Sequence, residues 1–194
     1  MKLCIATRNQ NKIKEIQDLL DGSSWAFCSL DDIGCTVDLP ETQHTIEGNS
    51  AQKAQYVWEH FGVACFAEDS GLEVEALQGA PGVYSARYAG PERNDTANLQ
   101  KVLTQLSGQT NRRARFKTVI TLIIEGEISQ FTGIVDGLIT PQAQGNGGFG
   151  YDPIFQPLGQ ERTFGQMSLA EKQAISHRSR ALLQLIEHLK QQDL

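Results

Sequence analysis

Short apolar runs alternate with amphipathic stretches along this chain. Leu3-Cys4-Ile5-Ala6 is too brief for a helix and predicts a buried strand. A polar segment, Thr7 to Lys12, separates it from Ile13, Ile16, Leu19 and Leu20, which recur at helical spacing. Trp25–Ser29 predicts a second strand, Asp31-Asp32-Ile33-Gly34 a turn, and Leu39 an extended residue because Pro40 follows it. Ala51, Ala54, Val57, Trp58 and Phe61 form the apolar stripe of a helix from about Thr45 to Phe61, with Lys53 off that stripe and expected on the surface. The small apolar run Val63–Ala67 predicts a buried strand ending in two acids, Glu68 and Asp69. Leu99, Val102, Leu103 and Leu106 fall at i, i+3, i+4 and i+7, the face of a helix entered through Asn94-Asp95. Phe116–Ile124 and Ile128–Ile139 are strands of a hairpin turning at Glu125-Gly126-Glu127, and Arg112, Arg113 and Arg115 before them are expected as a solvated strand start. Ser168-Leu169-Ala170-Glu171 is a capping box, and Ser176-His177-Arg178 opens a last helix carrying Leu182, Leu183, Ile186 and Leu189. Alternation of strand and helix, with one long hairpin, predicts an α/β fold on a mixed sheet with flanking helices. Polar clusters from both ends of the chain predict two lobes around a central cleft.

Composition narrows the function more than the fold. The 194 residues suit one domain, or two lobes of one domain, and bury enough surface to fold without disulfides or structural zinc. A net charge of −6 argues against binding long nucleic acid, which needs a basic surface, but not against a free nucleotide. Cys4, Cys28, Cys35 and Cys65 form no C-x-x-C pair and are expected as buried thiols in a reducing cytoplasm. The four histidines are scattered, against a zinc site. No segment approaches the length of a membrane span, and a signal-peptide core is missing from the start, so a soluble cytoplasmic protein is expected.

Candidate chemistry gathers in a few polar stretches. Glu68-Asp69-Ser70-Gly71 puts two carboxylates at the end of a rigid strand, a common way to hold a divalent ion, or else a strand end capped by solvated acids. Gly79-Ala80-Pro81-Gly82 is a turn leading to Tyr84, Ser85, Arg87 and Tyr88. Thr7-Arg8-Asn9-Gln10-Asn11-Lys12 places backbone N–H groups and a lysine at a helix N-terminus, which favours anions, although the glycines of a Walker loop are missing. Gln144 to Pro153 has four glycines, with Phe149, Tyr151 and Asp152 among them; such a backbone can approach a ligand closely, or be a flexible loop. Lys172, His177 and Arg178 offer several donors at one helix junction, or decorate a surface.

Together, these residues resemble the inosine triphosphate pyrophosphatase family over nearly the whole chain. The resemblance is carried in order by Thr7–Lys12, Pro40-Glu41-Thr42, Asn49 with Lys53, Glu68–Leu72, Gly79–Tyr88, Gly147–Pro153, and Glu171-Lys172 to Ile175–Arg178. It implies Mg²⁺-dependent hydrolysis of ITP, dITP and XTP to the monophosphate and pyrophosphate by a homodimer. By position, Thr7, Arg8, Asn9, Gln10, Asn11, Lys12, Lys53 and Arg87 would hold phosphate, and Glu41 and Asp69 the metal, with Asp69 also the general base and Ser70 a substrate contact. Phe149, Gly150, Tyr151 and Asp152 would hold base and sugar, and Lys172, His177 and Arg178 would complete the base pocket. Gln43 stands where the family often has Gly, Gly48 where it often has Glu, Glu68 where Asp is commoner, and Ser179 where Gly is common. The alternatives are a non-catalytic nucleotide sensor, or a phosphatase on another phosphorylated small molecule.

Overall fold

In a computed structural model of the chain, residues 2–20 and 25–192 are described. The elements follow the predicted alternation: β1 (Lys2–Ile5), α1 (Gln10–Leu20), β2 (Ala26–Cys28), α2 (Ile46–Phe61), β3 (Cys65–Val74), α3 (Asp95–Gln105), β4 (Arg113–Ile124), β5 (Glu127–Ile139), β6 (Phe155–Pro157), α4 (Leu169–Gln173) and α5 (His177–Gln192). The strands form one six-stranded sheet in the order β2-β1-β3-β4-β5-β6. β1 pairs in parallel with both β2 and β3, while β5 and β6 are antiparallel, so the sheet is mixed as expected.

Local chemistry sets the boundaries. Thr45 caps α2 by accepting from the Gly48 N–H, and Gly62 ends it in the left-handed conformation. Asn94 caps α3 through the Ala97 N–H. Glu125 and Gly126 both take positive φ, the geometry of a two-residue hairpin turn between β4 and β5.

Residue contacts divide the chain into two compact units: residues 1–69, 118–133 and 179–194, and residues 70–117 and 134–178. The first unit has two apolar clusters. One joins Leu3, Ile5 and Phe66 to Ile120, Leu122, Leu182 and Leu185. The other gathers all four cysteines with Ala54, Val57 and Ile123. The second unit packs Leu72, Val102, Leu106, Phe116, Ile154, Phe155 and Phe164.

Four expectations change. β3 does not stop at its acids but runs on to Val74, so Glu68 and Asp69 lie mid-strand and are buried. Leu183 is 59% exposed, and Leu185 takes its place on the buried face of α5. Arg112 is no solvated residue: its guanidinium donates to the carbonyls of Leu106, Ile139 and Thr140, tying the start of β4 to the end of β5. Lys53 is buried.

Candidate functional site

The first unit holds a cluster of acids and lysines. The Lys53 ammonium donates to Glu41 Oε1 at 2.7 Å and to Asp69 Oδ1 at 3.1 Å. Lys12 pairs with Glu68 Oε1 at 2.9 Å. Glu41 and Asp69, distant in sequence, therefore converge on one cation, as a shared site requires. Burial is the strongest influence on Lys53 and opposes its charge, yet the Asp69 and Glu41 carboxylates hold it above the ordinary lysine value. Burial likewise pushes the Asp69 carboxyl up, against the pull of Lys53 and Lys12.

The loop bearing Glu41 is fastened to α2 beside it. The Thr42 N–H donates to Gln52, the Gln52 amide returns a bond to Thr42 Oγ1, and the Gln43 N–H donates to Asn49 Oδ1. Asn49 is buried and reaches Asp69 Oδ2 at 3.5 Å, so one amide spans the loop and the strand acid. Two departures from the family pattern, Gln43 in this loop and Gly48 in the first turn of α2, are also linked. A Cβ at Gly48 would stand 2.8 Å from Gln43 Cβ, so the side chain at 43 fills space that one at 48 would need.

At the start of α1, Asn9 Oδ1 accepts the N–H groups of Asn11 and Lys12, and Thr7 Oγ1 that of Asn9. The expected anion-facing turn is thus pre-shaped by its own side chains. Arg8 bonds Asp31 and the Cys35 carbonyl, and Gln10 reaches the Arg8 carbonyl. Arg87 belongs to the second unit, where it lies over the Tyr84 ring at 5.4 Å.

The second unit holds an aromatic and cationic cluster. Lys172 Nζ bonds Asp152 Oδ2 at 2.7 Å and sits 4.7 Å from the Phe149 ring centre. Arg178, 1% exposed, lies 5.6 Å from the same ring centre and reaches Ser70 Oγ at 3.5 Å. Two cations at one ring make Phe149 a polarised platform. His177 stacks on Phe116 at 4.6 Å and an interplanar angle of 10°, which fixes its ring plane. α4, with its Ser168–Glu171 capping box, holds Lys172 in place.

Each residue of the loop from Phe149 to Asp152 is fastened. The Phe149 N–H donates to Asp152, the Gly150 N–H to Asp95 Oδ2, and the Tyr151 hydroxyl to the Ser85 carbonyl. Tyr151 is 4% exposed and Asp152 is 2% exposed. Both side chains lie inside the second unit, where they brace the loop that presents Phe149. Ser85 in turn accepts from the Leu72 N–H, just beyond Ser70-Gly71. Asn98 donates to Ala86 O and accepts from the Ala89 N–H, bracing the segment that carries Arg87.

Asp95 and Asn98 support the site from outside the stretches that the sequence singles out. Asn98 did leave a signal: it stands four residues before Val102, a polar side chain at an apolar stripe position. Among the described residues, no three His, Cys, Asp or Glu side chains gather into a metal-holding group. A hard divalent ion that takes one or two carboxylates and completes its shell with water and phosphate fits the Glu41–Asp69 pair.

The chain is similar to known proteins over nearly its whole length. Residues 3–188 match the model of the Ham1 family. The dITP/XTP pyrophosphatase of Flavobacterium psychrophilum is 55% identical over 190 residues, covering 98% of this chain and 100% of that protein. The dITP/XTP pyrophosphatase of Christiangramia forsetii is 52% identical over 189 residues, covering 97% and 99%. The solved Ham1 protein of Staphylococcus aureus superposes with a TM-score of 0.91 at 37% identity, over 99% of this chain and 100% of that one. A HAM1 protein from Coxiella burnetii gives 0.92 at 36% identity, over 98% and 99%.

Proposed function

Since the chain belongs to the Ham1 family, we propose that it hydrolyses ITP, dITP and XTP to the nucleoside monophosphate and pyrophosphate, with Mg²⁺ held by Glu41 and Asp69. The observation that carries this is the convergence of Glu41 and Asp69 on the Lys53 ammonium, at 2.7 and 3.1 Å. Such a divalent ion would neutralise phosphate charge and polarise the phosphorus under attack. Lys12 and Lys53 supply further positive charge for the leaving pyrophosphate. Asp69 accepts the proton of the attacking water, a role suited to a buried carboxylate whose proton affinity is already raised.

The base is the business of the second cluster. Hypoxanthine and xanthine carry an acceptor at position 6, where adenine carries an amino donor. Arg178 and Lys172 are buried donors beside Phe149 and satisfy the oxo group; an amino group leaves them facing another donor. Sites built this way discriminate by roughly 10⁴–10⁵. Phe149 adds stacking without choosing among bases.

A panel of nucleoside triphosphates with Mg²⁺ tests the proposal. Pyrophosphate and monophosphate from ITP, dITP and XTP, with ATP spared, is the expected result. Orthophosphate released directly from substrate makes the protein a phosphatase, and tight binding without turnover makes it a sensor. A cytoplasmic homodimer clearing the nucleotide pool belongs to the same proposal, and sedimentation tests the dimer. Among the described residues, no helix is long and apolar enough to cross a membrane.

A further inference from the structure

Lys53 does more than the phosphate contact that its sequence position suggests. Its Nζ stands between one oxygen of Glu41 and one of Asp69, within 3.1 Å of both, and the residue is 6% exposed. A magnesium ion ligated by that pair would lie about 2 Å from each carboxylate, in the space the ammonium fills. The ammonium and a divalent ion cannot both occupy it: besides the overlap, their charges repel.

We propose that Lys53 is an internal stand-in for the divalent ion, so that metal entry and phosphate capture are one exchange. In the substrate-free protein, the ammonium satisfies the buried Asp69 and the partly exposed Glu41, two carboxylates that would otherwise repel each other. When the ion arrives it takes those carboxylates, and Lys53 is released to the phosphate that comes with it. Substrate and ion therefore raise each other's affinity, because each removes part of the cost of moving Lys53. Lys12 acts differently: it pairs with Glu68 at 2.9 Å and reaches Asp69 only through its field. This inference rests on the metal assignment above.

Mn²⁺ is the probe, titrated into the nucleotide-free protein and followed by electron paramagnetic resonance. Lys53→Met binds Mn²⁺ about tenfold tighter than the unaltered protein, or more, because the competing unit charge at the carboxylate pair is removed. Lys12→Met, which deletes a charge bonded to Glu68 and not to the carboxylate pair, tightens Mn²⁺ less than Lys53→Met does, because it changes only the general field. Unchanged affinity in Lys53→Met overturns the proposal, and so does equal tightening in both variants, which would report only the general field. Should Lys53→Met fail to fold, the ¹³Cε resonance of Lys53 in the unaltered protein decides: Mg²⁺ alone shifts it if the ammonium is displaced, and an unmoved signal at metal saturation refutes the exchange. These titrations use no nucleotide, so an exchange that succeeds beside a failed triphosphate panel separates this inference from the activity.

Discussion

The Tyr151 hydroxyl donates to the backbone carbonyl of Ser85 at 2.7 Å, inside the second unit. Ser85 also accepts from the Leu72 N–H through its own hydroxyl at 2.9 Å. One buried phenol thus couples the loop presenting Phe149 to a segment bonded directly to β3. Tyr151→Phe removes the donor and strands a buried carbonyl. The expected loss is about 1–3 kcal/mol in urea denaturation, with KM for ITP rising more than kcat falls.

Asp69→Asn keeps the size of the side chain and removes its basicity. Turnover of ITP falls on the order of a hundredfold or more, equivalent to about 3 kcal/mol of barrier, while the circular dichroism spectrum is retained. Near-normal turnover rejects Asp69 as the base.

Arg178 is so buried that truncating it to alanine would mix lost packing with lost recognition. Arg178→Lys keeps the charge but not the planar fork. The ratio of kcat/KM for ITP over ATP drops on the order of tenfold or more. An unchanged ratio refutes the donor account of base choice.

Gly148 has φ +70°, and a Cβ there would stand 2.1 Å from Asp152 Oδ2. Gly148→Ala forces either the loop or the Asp152–Lys172 pair to give way. The substitution costs about 1–3 kcal/mol of stability. It raises KM for ITP while leaving inhibition by pyrophosphate unchanged, because the loss is confined to the base side.

Glu171 gives a pH signature. Its bond from Arg162, then those from Ser168, hold its carboxyl down at about 2 against an ordinary 4.5. A lowered pKa in the folded protein gives stability that is present above 4.5 and lost as pH falls toward 2. Thermal melts of the unaltered protein therefore lose more midpoint over that window than those of Glu171→Gln. A carboxyl ¹³C titration places the group directly.

Much of this was legible in the chain because patterning and capping are local. The helices at 46–61, 95–105 and 177–192 follow from stripes and caps visible within each segment. What the sequence could not show was which polar residues are inside. Lys53 lies off the apolar stripe of α2, yet it is buried because Glu41 and Asp69, twelve and sixteen residues away, turn toward it. Tyr151 and Asp152 sat among glycines, like residues offered to a ligand, yet their partners Ser85 and Lys172 keep them inside. The mistake over Leu183 was of another kind: it continues the run of leucines but points away from the face set by Leu182, Leu185 and Leu189.

The four cysteines are all unoxidised and buried in one apolar cluster, and burial pushes the Cys65 thiol up to about 12. Maleimide and iodoacetamide reagents, which attack thiolates, are offered no accessible native target. A single cysteine engineered onto an exposed position would be the sole attachment point for a fluorophore or spin label, without first mutating the natural four.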